Sequence, residues 1–329
     1  MAHLRFAGSH LLFSRPVICW LPRVCQYALH RVELPNGATG ALGPDEELAR
    51  LPPDDDPDTT GHDATGHGWF FTNGDGSTVA FASPTIRSSK LYAWRSDTLR
   101  LLDGLCDDPN APAASGSCVG SYDGPHPSNG GVAVSQAGGR VAWLIVNDNR
   151  FQIRLYDLDG SVAVVSVVAA ASPLEHAYRT SYCDFLTPWQ PGLFGRDVRF
   201  APDDQTLYFI GERDCAQDGM FPRADLFRIA SASLAAGGAL AEADLHRYTP
   251  NPNAISATGL YVASFDLTPD GAALVVVASP ADAPGLLPGP GVPLPDTELY
   301  LADVAGTLAW RQVTDEPSAR VENVIALEP

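Results

Sequence analysis

The stretch FDLTPDGAALVVVAS, residues 265–279, decides the reading. An apolar segment with alternating polar positions runs into Thr268-Pro269-Asp270-Gly271, and a second apolar segment follows at once. Pro sets the first turn dihedral, Asp accepts from its own turn, and Gly supplies a positive φ, so the stretch is a β-hairpin around a tight turn. The same pattern recurs as VRFAPDDQTLYFIGE (198–212) and, more weakly, as FFTNGDGSTVAFAS (70–83), VAVSQAGGRVAWLIV (132–146) and LRFAGSHLLFSR (4–15). The final VIALEP (324–329) matches its first half. With the proline position of each turn as anchor, the copies align at Gly8, Gly74, Ala137, Pro202, Pro269 and Pro329, a repeat of about 65 residues.

Each period holds two more strands. The third carries Leu beside an aromatic residue at Leu91-Tyr92, Leu155-Tyr156, Leu226-Phe227 and Leu299-Tyr300, with Leu29-His30 in the first copy. The fourth reads LRLLD (99–103), VAVVSVV (162–168), LHRYT (245–249) and WRQVT (310–314). Four short antiparallel strands at a fixed period describe a β-propeller blade. The expected fold is all-β, with five four-stranded blades near 1–45, 66–105, 130–170, 195–249 and 259–315. A strand within 320–329 is expected to pair beside residues 10–15 and close the ring; the alternative is a fragment of a six-bladed propeller.

The Ser/Thr-Pro-Asp-Gly turn, the Leu-Tyr pair and a fourth strand ending in Thr249 or Thr314 resemble the TolB-type propeller repeat, and also the propeller domains of prolyl oligopeptidases. The resemblance covers nearly the whole chain. It implies the fold and leaves function open, because one scaffold hosts many roles.

Composition narrows the partners. Lys plus Arg number 21 against 39 Asp plus Glu, a net charge of −18. Such a chain repels phosphate backbones and anionic lipid surfaces, so neither nucleic acid nor a lipid surface is expected as a partner, and no run approaches about 18 uninterrupted apolar residues, so no membrane insertion is expected. The aspartates Asp75, Asp203 and Asp270 have a structural explanation as turn caps. No cofactor fingerprint, Walker motif or G-x-S-x-G elbow is present.

Long segments interrupt the repeat at 16–25, 44–66, 105–130, 169–195, 213–224 and 280–297. All connect strand two to three or strand four to the next strand one, which places them on one face. The six cysteines fall in these segments, and the topology pairs them as Cys19–Cys25, Cys106–Cys118 and Cys183–Cys215. Disulfides imply an oxidising compartment, periplasmic or extracellular; Arg5, Arg15, Pro16 and Arg23 break up any secretion signal in this chain, which leaves the cytoplasm as the alternative. No metal-ligand spacing appears, and the acidic run 44–66 reads as a solvated loop rather than a Ca²⁺ site. Tyr178, Arg179, Tyr182, Phe185 and Trp189 crowd into one loop and are the candidate ligand-binding patch.

The expected function is therefore a non-enzymatic scaffold that binds a protein or small extracellular ligand through its elaborated face. The rival is a glycosidase-like enzyme with carboxylates in the central channel, for which Asp197, Asp266 and Glu322 on first strands are the candidates. A further alternative is an accessory propeller fragment of a larger protein.

Overall fold

In a computed structural model, the described residues are 4–21, 24–35, 41–51, 70–84, 88–106, 129–147, 150–160, 163–168, 198–213, 223–240, 244, 246–249, 260–268, 270–280, 297–304 and 310–315. They form five sheets in chain order. Sheet one holds β1 (Leu4–Ala7), β2 (His10–Leu21), β3 (Val24–Glu33) and β4 (Glu46–Arg50). Sheet two holds β5 (Phe70–Thr72), β6 (Thr78–Pro84), β7 (Ser88–Arg95) and β8 (Thr98–Cys106). Sheet three holds β9 (Asn129–Val134), β10 (Arg140–Asn147), β11 (Arg150–Asp157) and β12 (Ala163–Val168). Sheet four holds β13 (Val198–Phe200), β14 (Thr206–Arg213), β15 (Arg223–Ala230) and β17 (His246–Arg247). Sheet five holds β18 (Leu260–Leu267), β19 (Ala273–Pro280), β20 (Glu298–Asp303) and β21 (Arg311–Gln312). Each is an antiparallel meander, and neighbouring sheets pack face to face. That is the blade arrangement of a β-propeller.

The Leu-aromatic pair explains the stacking. Adjacent residues on a strand point to opposite faces. Leu91 of β7 packs toward blade three, whereas Tyr92 packs back on blade one. Leu155 of β11 packs toward blade four and Tyr156 toward blade two. Leu226 of β15 faces blade five and Phe227 faces blade three. Leucine is the forward contact and the ring the backward one, so every internal third strand is buried on both faces. Each such side chain contributes about 1.5–3 kcal/mol by leaving water.

The terminal threonines of strand four also have a cause. The hydroxyl oxygen of Thr249 accepts the Leu226 N–H at 2.6 Å, and that of Thr314 accepts the Leu299 N–H at 2.9 Å. Each fastens strand four to the leucine of strand three just beyond the regular ladder.

Four expectations need correction. The left-handed turn residues are Gly8, Gly76, Gly138, Asp204 and Gly271, each with a positive φ. The turn of blade three is therefore anchored at Gln136, not Ala137, and Gly8 is itself the left-handed residue of blade one. Second, residues 46–50 belong to blade one as β4, so that blade extends past 45; Arg31–Glu46 and Arg50–Glu47 ion pairs neutralise its acids. Third, Cys19, Cys25 and Cys106 lie in strands rather than loops, because β2 and β3 continue through most of 16–25 and β8 runs to Cys106. Fourth, both edges of β2 are occupied, by β1 and β3, so no closing strand can pair beside residues 10–15. The closing strand itself, 320–329, lies outside the described residues.

The irregular segment after β15 forms a strap. Helix α1 (Ser231–Ala236) leads to β16 (Gly238–Leu240), which pairs parallel with β12 as a fifth strand of blade three. Leu234 and Leu240 are buried in the core between blades three and four.

Candidate functional site

The two faces of the blade stack are built differently. In a meander, the turns between strands one and two and between three and four leave at one end. The connections after strands two and four leave at the other.

On the first face the turns between strands one and two are tight, the connections 34–45 of blade one and 231–245 of blade four are longer, and hydrogen bonds join one blade to the next. Asp75, Asp203 and Asp270 each accept the N–H two residues on, from Ser77 at 2.8 Å, Gln205 at 2.9 Å and Ala272 at 3.0 Å. Burial draws the Asp75 carboxyl upward, but the Ser77 hydroxyl and amide and the Asn73 amide outweigh it and hold it below its ordinary range. The Thr268 hydroxyl and then the Ala272 N–H lower that of Asp270. Between blades two and three, Thr78 donates to the Gly138 carbonyl at 2.9 Å, the Gln136 side chain accepts the Gly74 N–H at 3.3 Å, and Arg95 pairs with Asp159 at 2.7 Å. Between blades three and four, the Asp204 carboxylate accepts two consecutive backbone N–H groups, and Arg140 donates to the Asp204 carbonyl at 2.7 Å. Gly271 sits against Pro202, where an added Cβ would come within 2.9 Å of the proline ring.

On the second face attach the long connections, including 52–69, 107–128, 169–197, 214–222 and 281–296, which lie outside the described residues. Tyr178, Arg179, Tyr182, Phe185 and Trp189 fall in them, as do Cys118, Cys183 and Cys215. The backbone register of β2 and β3 sets Cys19 opposite Cys25, next to the turn at this face.

Of the three channel carboxylates, Asp197 and Glu322 lie outside the described residues, and Asp266 stands on β18, the first strand of blade five. Its Oδ1 lies 3.4 Å from Nε of Arg199 on β13, the first strand of blade four, and accepts the Leu267 N–H at 3.0 Å. Arg199 also donates to the Val198 carbonyl at 2.7 Å. The guanidinium offsets the carboxylate charge, so Asp266 joins two inner strands.

Two polar clusters escaped the sequence reading. Asp103 on β8 meets Arg154 on β11 at 2.5 Å and accepts the Tyr156 hydroxyl, all three buried between blades two and three. Burial, then the Asp103 charge and hydrogen bond, push the Tyr156 hydroxyl far above its ordinary range. No spacing signal links residues about 50 positions apart on successive blades. In blade one, His30 Nδ1 lies 2.7 Å from Asp45 Oδ1, Arg15 holds the other oxygen at 2.8 Å, and Phe13 stacks on the imidazole at 5.4 Å. His30 takes the backward position that an aromatic ring fills in the other blades.

Among the described residues no helix is long and apolar enough to cross a membrane, and no three His, Cys, Asp or Glu side chains converge as metal ligands.

The fold defines the class, a β-propeller. No family model matches the chain, and no curated protein matches it in sequence. Solved structures similar to it include TolB from Acinetobacter baumannii, at 11% identity and TM-score 0.44, covering 90% of this chain and 51% of that one. Kuenenia stuttgartiensis hydrazine synthase has 13% identity and TM-score 0.47, covering 97% of this chain and 67% of that one. A prolyl endopeptidase structure has 13% identity and TM-score 0.47, covering 96% of this chain and 36% of that one. The chain thus spans about half the length of the TolB structure it matches.

Proposed function

We propose that the chain is a five-bladed β-propeller closed into a ring, and that it is a non-enzymatic scaffold binding a protein or small extracellular ligand through its loop face. The observation that carries this reading is the inequality of the two faces. One is fastened blade to blade through turn backbones, while most of the added length attaches to the other, the strap after β15 and the 34–45 connection apart. A rigid frame carrying long loops on one side is how recognition surfaces are built.

Both ends of the stack have covered outer faces, as a closed ring would require. On the face of blade one turned away from blade two, Ala28 and His30 are each 1% exposed. On the face of blade five turned away from blade four, Val277 is 0% and Ser264 1% exposed. In a closed ring each end blade would supply the other's cover. The inner edge of β1 is the place for a closing strand to add.

The backbone register sets Cys19 opposite Cys25, and directly opposed positions on neighbouring strands suit a disulfide. With Cys106–Cys118 and Cys183–Cys215, this bridge ties the loops in an oxidising compartment, the periplasm or the extracellular space. The aromatic loop 178–194 is then the contact surface. The pairing of Asp266 with Arg199 argues against its acting as a free channel acid.

The test is a variant with 178–194 replaced by a short Gly-Ser linker. The reading expects an unchanged melting temperature together with loss of a partner that the full chain retains from the extracytoplasmic fraction. Hydrolysis of arabinan- or xylan-type oligosaccharides by the purified chain would overturn it in favour of the glycosidase.

A further inference from the structure

On the outer rim of blade four, at its border with blade five, an arginine and a histidine stand side by side. The register of β15 and β17 sets Arg228 directly opposite His246. The Arg228 guanidinium lies over the Tyr248 ring, 5.3 Å from its centroid. His246 meets the same ring edge-on at 4.9 Å. Tyr248 is buried against Tyr208, with ring centroids 5.8 Å apart, and its carbonyl accepts the Trp310 indole N–H of blade five at 3.1 Å. The plate behind the two side chains is therefore fixed from both blades.

Directly opposed like charges on a sheet are unfavourable. In a chain with 39 acidic and 21 basic residues, the default neighbour of an arginine is a carboxylate. Arg31, Arg50, Arg95, Arg154 and Arg199 all have one, whereas Arg100 and Arg140 donate to backbone carbonyls instead. Among the described residues neither Arg228 nor His246 does. Arg228 on β15 stands opposite His246, Tyr248 packs against it with Tyr208 of β14 behind, and the exposed Asp244 lies two residues before it. Asp244 makes an interaction of its own. Burial first, and then the Arg228 charge, lower the pKa of His246.

We propose that Arg228 and His246 form an oxyanion-binding site on the rim of blade four, taking a carboxylate or phosphate group. The Arg228 guanidinium is anchored beside the Tyr248 ring, and the planar fork of an arginine suits two-point binding of such a group. The protonated imidazole adds a further donor. A bound anion offsets the repulsion that a protonated His246 meets from Arg228, and the general negative charge of the chain restricts binding to this local spot. The site is on the rim, separate from the loop face, so its test does not depend on the scaffold reading.

The experiment follows the His246 imidazole by NMR across pH, in chloride, acetate and inorganic phosphate at equal ionic strength. The H246Q spectrum assigns its resonance among the eight histidines. Anion binding favours the protonated ring, so the midpoint rises in acetate for a carboxylate site, in phosphate for a phosphate site, and in both for a general oxyanion site. In R228Q the chloride midpoint starts higher, because the repulsion is gone, and the response to either anion is lost. Equal midpoints in the three salts would overturn the site, and so would an undiminished response in R228Q. Should R228Q fail to fold, the three-salt comparison on the wild-type chain decides alone.

Discussion

The Asp204 carboxylate of blade four accepts the backbone N–H of Gln136 in blade three at 2.6 Å, and its second oxygen accepts the next N–H, of Ala137, at 2.9 Å. Asp204 also occupies, with φ 58°, the left-handed turn position that the other four blades give to glycine. Two requirements meet at one residue: a strained dihedral and an inter-blade clamp. Asp203-Asp204 stands where blade five has Asp270-Gly271.

Asp204→Ala loses the clamp and keeps the strain, whereas Asp204→Gly loses the clamp and relieves the strain. Charge-assisted hydrogen bonds contribute about 1.5–3 kcal/mol and left-handed strain costs about 1–2 kcal/mol. Urea unfolding is expected to rank the alanine variant below the glycine variant, with the wild type above both. Alanine as stable as wild type would show that the clamp carries no weight.

The carboxyls of Asp75 and Asp270 are held below their ordinary ranges in the folded chain. For such groups the unfolded state binds protons first, so their contribution is present above the ordinary carboxylate pKa of about 4 and fades as pH falls through the depressed folded value. Melting temperature is expected to drop below about pH 4, and Asp75→Asn is expected to flatten that part of the profile. An unchanged acid limb in the variant would contradict the assignment.

The strand pattern, the blade period and the turn aspartates were legible because each is local: alternation, a tight turn and its cap occupy a dozen consecutive residues. Blade one was cut short because Glu46-Glu47 read as solvated loop, and only pairing with Arg31 and Arg50 makes that stretch a strand. The turn of blade three was misplaced by one residue because Gly138-Gly139 offers two candidates for the left-handed position, and φ selects Gly138. The strap at 231–240 and the Asp103–Arg154–Tyr156 cluster depend on which blades become neighbours, which no local pattern encodes.

Arg154→Met leaves Asp103 buried without its cation, and breaking a buried pair this way costs about 3–5 kcal/mol. Replacing both partners, in Asp103→Leu with Arg154→Met, removes the unpaired charge and is expected to recover much of that loss. Tyr156→Phe, which removes one donor to the carboxylate, is expected to cost about 1–3 kcal/mol. A double variant less stable than the single arginine variant would show that the cluster does more than satisfy its own charges.

His30→Phe puts an aromatic ring where blades two to five have one and removes a buried Nε2 that has no partner among the described residues. Arg15 still holds Asp45, which is partly exposed. Thermal unfolding is expected to show the variant unchanged or stabilised by up to about 1 kcal/mol, whereas His30→Ala opens a cavity and costs about 2–4 kcal/mol. Marked destabilisation by phenylalanine would show that the face of blade one cannot accept a wholly apolar ring.

The scaffold reading rests on long loops held to a rigid frame, and the cysteines test it most directly. Peptide mapping of the native protein under non-reducing conditions is expected to recover Cys19 with Cys25, Cys106 with Cys118 and Cys183 with Cys215. Free thiols at all six positions would contradict both the tied loop face and the oxidising compartment.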